Sequence, residues 1–388
     1  MSKVNDLIRE LCPNGVKKYT IKDICLVTRG RVISKMELQE KAGEYPVYSS
    51  QTLNNGVFGK INSYDFDGEY VQWTTDGANA GSIFYRNGKF SVTNVCGLLK
   101  IKDEYLNKIR SDYLAYALTM ESKKYVNYAT SNPKLMSNVM ADITVLIPPI
   151  EVQNEIVRIL DKFGELEAEL EAELEARKSQ YEFWREKLLN TGNSNQEYIT
   201  LGDIGKVCMC KRIMKNETSD SGDVPFYKIG TFGKQADAYI SYDIFNDYKK
   251  RFSYPKKGEI LVSCSGTIGR SVVFDGEDAY FQDSNIVWLS NDESKVLNKF
   301  LYYFYQTSPW NISDGGTIKR LYNNQFISAK VPLYSLEEQK KIVNILERFD
   351  KLINDITVGL PAEIELRRKQ YEYYRNKLLS FEELSVSE

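Results

Sequence analysis

The sequence predicts an α+β protein in which two α/β lobes are separated by an antiparallel pair of long coiled-coil helices, an internal repeat about a pseudo-twofold axis. Three observations predict it. A helical motif occurs twice at a long spacing, each copy follows a stretch of short alternating strands, and each helix carries an apolar stripe too long to stay unpaired. At 388 residues and 44.7 kDa the chain also exceeds one ordinary domain.

The repeat has a period of about 186 to 190 residues. Gln153, Ile156, Leu160 and Phe163, after Pro149, return as Gln339, Ile342, Leu346 and Phe349, after Pro332. Arg177-Lys-Ser-Gln-Tyr181 with Trp184, Leu188 and Leu189 returns as Arg368-Lys-Gln-Tyr371 with Tyr374, Leu378 and Leu379. Weaker echoes lie upstream: Tyr19 to Ile24 answers Tyr198 to Ile204, and Gly68-Glu69 through Asp76-Gly77 to Phe84 answers Gly258-Glu259 through Ser265-Gly266 to Ser271. Asn132, Lys134, Leu135 and Asn138 answer Ile318, Arg320, Leu321 and Asn324. Between these anchors the halves differ.

Gln153 to Leu189 reads as one helix, with apolar residues at 156, 160, 163, 166, 170 and 174, then 181, 184 and 188. Ser335-Leu-Glu-Glu338 is a capping box that opens the second helix. Rods of forty-odd residues reach roughly 60 Å. The obvious partner for each is its own repeat. Helix one leads from lobe one to lobe two, so helix two must run back antiparallel. Within helix one, Leu166, Leu170 and Leu174 each begin a Leu-Glu-Ala unit of four residues. Each unit overshoots a full turn by about 40°, so the leucine stripe drifts, and adding one would lengthen the rod by roughly 6 Å. Gly359-Leu-Pro361 predicts a kink or break in helix two.

The lobes, about 17 to 147 and 198 to 334, alternate short strands with polar turns, and Asp112 to Leu118 and Lys299 to Tyr305 look like buried helices in matching places. Candidate contact residues sit where Arg or Lys mixes with Gly, Ser, Thr and Asn. In lobe one these are Thr28-Arg29-Gly30-Arg31, Trp73-Thr-Thr75-Asp76-Gly77-Ala-Asn79, Arg86 and Thr130-Ser-Asn132-Pro-Lys134. In lobe two they are Lys211, Arg212, Lys249-Lys250-Arg251, Ser265, Gly266, Thr267, Arg270, and Thr317-Ile-Lys319-Arg320 with Asn323 and Asn324. Such loops supply phosphate contacts from cations, hydroxyls and amides, and bidentate Arg or Asn can read base edges. Any one of them alone is equally well a solvated turn; the signal is their recurrence at matching places.

Composition narrows the chemistry. Histidine is absent, which removes His triads, His general acid–base schemes and two-Cys-two-His fingers. The six cysteines are scattered, and Cys208-x-Cys210 has no second ligand pair, so they read as reduced cytosolic core residues. No apolar run approaches a membrane span, and the N-terminus lacks the apolar core of a signal peptide. The net charge is −2, yet residues 161–175 hold seven carboxylates and one lysine, so the remainder is mildly basic. That acidic run is either a solvated helix face or an anionic surface kept clear of DNA or docked on a basic partner. No G-x-G-x-x-G opens a helix, no phosphate loop is present, and Asn132-Pro-Lys134 departs at once from the Asn/Asp-Pro-Pro-aromatic tetrad of amino-methyl transfer. The chain reads as a binder without a catalyst.

The twofold succession of variable lobe, Gln153-x-x-Ile156-x-x-x-Leu160 and Arg177-Lys-x-Gln-Tyr181 resembles the specificity subunit of type I restriction–modification systems over essentially its whole length. The resemblance implies target recognition domains at 17–147 and 198–334, a central helix at 148–197, a distal helix at 335–388 and an N-terminal segment, 1–16, that packs near the end of the second helix. It implies a non-catalytic, cytoplasmic host-defence subunit that reads a bipartite, asymmetric site in double-stranded DNA and docks two methyltransferase subunits and restriction/translocase subunits. No cofactor is expected on this chain; S-adenosylmethionine, Mg and ATP are expected on those partners, and no membrane is involved. Gln153, Leu166, Leu170, Leu174, Tyr181, Gln339 and Tyr371 are then the spacer and subunit-docking residues. Two other readings stay open from the residues alone: a coiled-coil scaffold whose lobes bind protein or sugar, and a fused single-chain restriction enzyme.

Overall fold

The computed structural model describes residues 2–129, 131–189, 196–312 and 319–384. Thr130, Thr317 and Ile318, named in the polar loops above, lie outside the described residues. The chain divides into two compact units, Met1–Leu170 with Ile364–Glu388, and Glu171–Glu363.

In the first unit, lobe one holds an antiparallel sheet in the order Cys25–Arg29, Cys96–Ile101, Tyr70–Thr74, Ile83–Arg86. Its central strand Tyr70–Thr74 is buried on both faces, which fits its run of aromatic, β-branched and threonine residues. A second sheet runs Val57–Ile61, Ala42–Tyr48, Lys89–Val92, Phe66–Asp67, with Ala42–Tyr48 and Lys89–Val92 parallel. The two-stranded ribbon Lys17–Thr20 with Thr144–Ile147 brackets the lobe in sequence. Helix Ser111–Glu121 packs Tyr113, Leu114 and Leu118 into a core shared with Trp73, Leu99, Val152, Ile156, Leu160 and Leu378.

The two ends of the chain meet in this unit. Helix Ser2–Leu11 delivers Val4 to the same core, and Cys12 and Val16 follow it in. The Val16 amide donates to the Glu382 carbonyl at 2.8 Å, and the Leu384 amide to the Val16 carbonyl at 3.0 Å. Lys18 pairs with Glu383 at 2.7 Å. The start of the long helix also packs on the distal helix here. Phe163 stacks on Tyr374 at 5.4 Å and meets Tyr371 edge-on at 6.4 Å, while Glu167 pairs with Arg368 at 2.6 Å. Higher numbers on one segment meet lower numbers on the other, so the two segments run antiparallel.

The second unit repeats the plan. Its sheet runs Gly205–Cys208, Ile286–Asn291, Ile260–Ser263, Ser271–Val273, again antiparallel. A smaller sheet runs Tyr239–Ile240, Val224–Tyr227, Tyr280–Phe281, whose last pair is parallel as in lobe one. The ribbon is Tyr198–Thr200 with Lys330–Pro332. Helix Asn298–Tyr305 takes the place of Ser111–Glu121 and buries Phe300, Leu301, Tyr303, Phe304 and Tyr305. Tyr181 packs on Phe349 at 6.2 Å and the Tyr334 hydroxyl donates to the Leu188 carbonyl at 3.2 Å, so the helix segments of this unit are antiparallel too.

The first long helix, Ile150–Leu189, is continuous over 40 residues. Its repeat is broken into Leu336–Asn354 and Leu360–Leu379. Ser335 and Glu338 form the reciprocal cap expected at its start. At the break the Asp355 carboxylate accepts from the Thr357 and Val358 amides at 2.7 and 3.2 Å, replacing the helical bonds lost there. Pro361 falls in the first turn of the new helix, where its missing N–H leaves no bond unmade. Among the described residues, no helix is long and apolar enough to cross a membrane.

Candidate nucleic-acid interface

In lobe one, strand Tyr70–Thr74 emerges into Thr75-Asp76-Gly77, and this turn brings Arg29 and Lys134 of the residues singled out above beside Thr75 and Gly77. The Leu135 amide donates to the Thr75 carbonyl at 2.9 Å, and the Gly77 amide to the Pro133 carbonyl at 3.0 Å, so the loop before Lys134 is stitched to the turn. Asp76 and Lys134 pair as an isolated antiparallel bridge. Gly77 has φ +96°, a conformation that glycine adopts without steric cost. On this frame Arg29 Nη2 donates to Thr75 Oγ1 at 2.7 Å, to Asp76 Oδ2 at 3.3 Å and to the Asn94 carbonyl at 2.7 Å. Lys134 Nζ lies 3.6 Å from the other Asp76 oxygen. One carboxylate between two half-exposed cations leaves a net positive cluster suited to phosphate or base-edge contact.

Lobe two builds the same frame from different side chains. The Leu321 amide donates to the Cys264 carbonyl at 2.8 Å, and Ser265 and Arg320 form the isolated antiparallel bridge that matches Asp76 and Lys134. Gly266, at φ +64°, follows as Gly77 does. Arg320 Nη2 donates to the Ser284 carbonyl at 2.7 Å, Ser265 Oγ lies 3.0 Å from Asn285 Oδ1, and Arg212 Nε donates to Asp283 at 2.9 Å. Arg212, Asp283, Ser284 and Asn285 also line a surface cavity of about 470 Å³ with Lys215 and Lys228. Asp76 lies inside the expected run Trp73 to Asn79, whereas Asn94, Asp283, Ser284 and Asn285 were not among the expected contact residues. They lie on turns whose meeting is decided by strand pairing, and only the matched spacing of the turns hinted at them.

The other candidates are scattered. Arg31 is bound by Asp65 and Glu37 at 3.1 and 3.0 Å, and Asn79 donates to the Ser50 carbonyl at 2.9 Å. Asn132 and Asn323 are exposed at the loop edge and at the first turn of helix Asn323–Ile327, and Lys319 is exposed beside Arg320. Lys211 and Arg251 approach the Phe252 ring from 5.3 and 5.2 Å, and Lys250 is exposed on the same helix as Arg251. Arg270 turns to the Phe232 carbonyl at 2.9 Å, and the Thr267 carbonyl accepts from Ser263 Oγ.

The structure corrects four of the expected sites. Arg86 is 3% exposed: its guanidinium donates to Gln72 and Asn55 and lies 3.7 Å from the Tyr48 ring centre. Burial pulls its pKa down to about 10, and it serves the interior of lobe one rather than a surface contact. Thr75 is fully buried and orients Arg29 and Asp76 instead of facing solvent. Gln153 and Gln339, expected to dock partners, are also fully buried. Gln153 accepts from the Arg110 amide at 2.9 Å and donates to the Lys108 and Pro148 carbonyls, both at 2.7 Å. Gln339 accepts from the Leu297 amide at 2.8 Å and donates to the Lys295 and Tyr334 carbonyls at 2.8 and 2.9 Å. Each locks the start of a long helix to its own lobe, because one carboxamide there accepts one bond and donates two. Of the remaining helical residues, Tyr181 is buried and donates to Gln306 at 3.2 Å, while Leu166, Leu170, Leu174 and Tyr371 are half-buried.

Among the described residues no group of three or more Cys, Asp or Glu is placed to hold a metal ion. The pattern is that of a duplicated binding module on a helical frame. The model of the type I restriction modification DNA specificity domain matches the chain twice, at residues 13–176 and 193–366. A Haemophilus influenzae protein named as a type I restriction enzyme specificity subunit is 47% identical over 353 residues, covering 88% of this chain and 89% of its own. A type I specificity subunit of Mycoplasma pneumoniae is 36% identical over 370 residues, covering 94% and 98%. The crystal structure of the type I S subunit from M. genitalium shares the fold, with a TM-score of 0.55 at 16% identity over 94% of this chain and 96% of that one. The chain belongs to the type I restriction–modification specificity subunits: it is the non-catalytic, DNA-specificity component of such a system.

Proposed function

We propose that each lobe reads one half of a bipartite, asymmetric site in double-stranded DNA, lobe one through the Arg29–Asp76–Lys134 cluster and lobe two through Arg212, Ser265, Asn285 and Arg320. One observation carries the reading. The same backbone cradle recurs in both lobes, at the Asp76–Lys134 and Ser265–Arg320 bridges, while the side chains it presents differ. A shared frame with unlike side chains gives unlike half-sites, hence no palindrome. The near-neutral net charge suits a reader whose partners supply much of the phosphate grip. Those partners are two methyltransferase subunits and, for restriction, translocase–nuclease subunits, all cytoplasmic. S-adenosylmethionine, ATP and magnesium belong to them.

The 40-residue helix Ile150–Leu189, which leads from one unit into the next, supports a second element: it sets the unspecified spacer between half-sites. Inserting one further Leu-Glu-Ala-Glu unit after Glu173 adds four residues, roughly 6 Å of helix. Sequencing the methylated sites of cells carrying that variant is expected to show a longer spacer with both half-sites unchanged. Altered half-sites at the original spacing would reject the ruler.

A further inference from the structure

Between strands Lys89–Val92 and Cys96–Ile101 of lobe one lies a tight turn whose backbone is held from several directions. The Cys96 amide closes it onto the Thr93 carbonyl at 3.0 Å. The Thr93 amide donates to the Tyr48 carbonyl, and the Thr75 amide to the Val95 carbonyl, both at 2.9 Å. Arg29 holds the Asn94 carbonyl. Gly30 passes so close that a Cβ there would lie 2.2 Å from the Val92 carbonyl oxygen and 2.4 Å from that of Thr93, which leaves room for glycine alone.

The Asn94 side chain is the exception to this rigidity. It is exposed and makes no hydrogen bond to any described residue, although its own carbonyl anchors Arg29. Adenine offers an N6 donor and an N7 acceptor on its major-groove edge, and a carboxamide matches both at once. An uncommitted amide has its donor and its acceptor both available, and because the backbone beneath it is already held, binding orders the side chain alone.

Lobe two repeats the arrangement with a different residue. The pairing of Ser263 with Ile286 matches that of Thr74 with Cys96, which puts Ser284 where lobe one has Asn94. Arg320 holds the Ser284 carbonyl as Arg29 holds that of Asn94, both at 2.7 Å. Ser284 sits at φ +53°, a left-handed conformation that a non-glycine residue adopts only under constraint. The cation thus comes from opposite sides of the cradle in the two lobes, since Met209 occupies the position of Arg29.

We infer that Asn94 is a specificity-determining residue of lobe one, reading an adenine of its half-site through the side-chain amide, and that Ser284 holds the corresponding place in lobe two. The inference rests on the reading of the lobes as half-site readers. The test is methylation of a randomised duplex library by the full chain reconstituted with its modification subunits, sequenced for modified sites. Asn94→Ala keeps the carbonyl that Arg29 needs, Asn94→Asp replaces the donor with an acceptor and adds a negative charge, and Lys134→Ala reports on the cradle; thermal melting confirms that each is folded. Both Asn94 variants are expected to lose about 5- to 150-fold discrimination at one A·T pair of one half-site, with the other half-site unchanged. If the Asn94 variants leave both half-sites intact while Lys134→Ala weakens binding, Asn94 is not the reader and the cradle stands. If all three are silent, the cradle reading falls with it. A loss confined to a G·C pair overturns the adenine assignment.

Discussion

Replacing Trp73 by alanine is expected to destabilise the first unit by roughly 3–5 kcal/mol, a large share of an ordinary domain's stability. Trp73 is fully buried in the central strand of the lobe-one sheet, and its indole N–H donates to the Leu135 carbonyl at 3.1 Å. Its ring fills the space over Gly97, where a Cβ would lie 2.1 Å from the ring, so the two residues are matched across paired strands. Removing the ring opens a cavity and also orphans a carbonyl one residue from Lys134. The Arg29–Asp76–Lys134 cluster therefore loosens together with the core. Trp73→Phe keeps most of the packing and loses the hydrogen bond, about 1 kcal/mol. Urea unfolding followed by hydrogen exchange separates the two units, and the loss of protection is expected in residues 2–170 first. A Trp73→Ala chain with unchanged protection there would contradict the packing described.

The second large effect belongs to the paired glutamines. Gln153→Ala leaves the Arg110 amide and the Lys108 and Pro148 carbonyls without their partner, the first two part-buried and the last buried, at a cost of roughly 2–4 kcal/mol. Gln339→Ala does the same to Leu297, Lys295 and Tyr334 in the second unit. Each variant is expected to lower exchange protection in its own unit alone, and no isosteric acid restores it, because a carboxylate cannot donate to two carbonyls. Equal protection in the variant and the parent would show that the amides are dispensable. Weaker assembly with unchanged protection would return them to the docking role that the sequence suggested.

That reversal shows where the sequence stops being legible. Helical periodicity and the recurrence of Gln153, Ile156, Leu160 and Phe163 are local patterns, so the long helices, the cap at Ser335 and the break before Pro361 could all be read from residues. A glutamine inside an apolar helical run is ambiguous: it either faces a partner or satisfies buried backbone groups, and only the chain packed against it decides. Arg86 was misread for the same reason. It sits at the end of a short strand among polar turns, and Gln72, Asn55 and Tyr48, which enclose it, come from three distant segments. The cluster around Asp76 was half legible, since Lys134 and Arg320 stood at matching places in the repeat. Asn94 and Ser284 could not be found, because the turns that display them are defined by strand pairing across long sequence separations.

One duplicated cradle with two sets of side chains is proposed to read two different half-sites. Sequencing the methylated bases in the genome of cells that express this chain with its modification subunits tests it most directly. A single motif made of two unlike half-sites at a fixed separation is expected. A palindromic motif, or one uninterrupted run of specified bases, would contradict it.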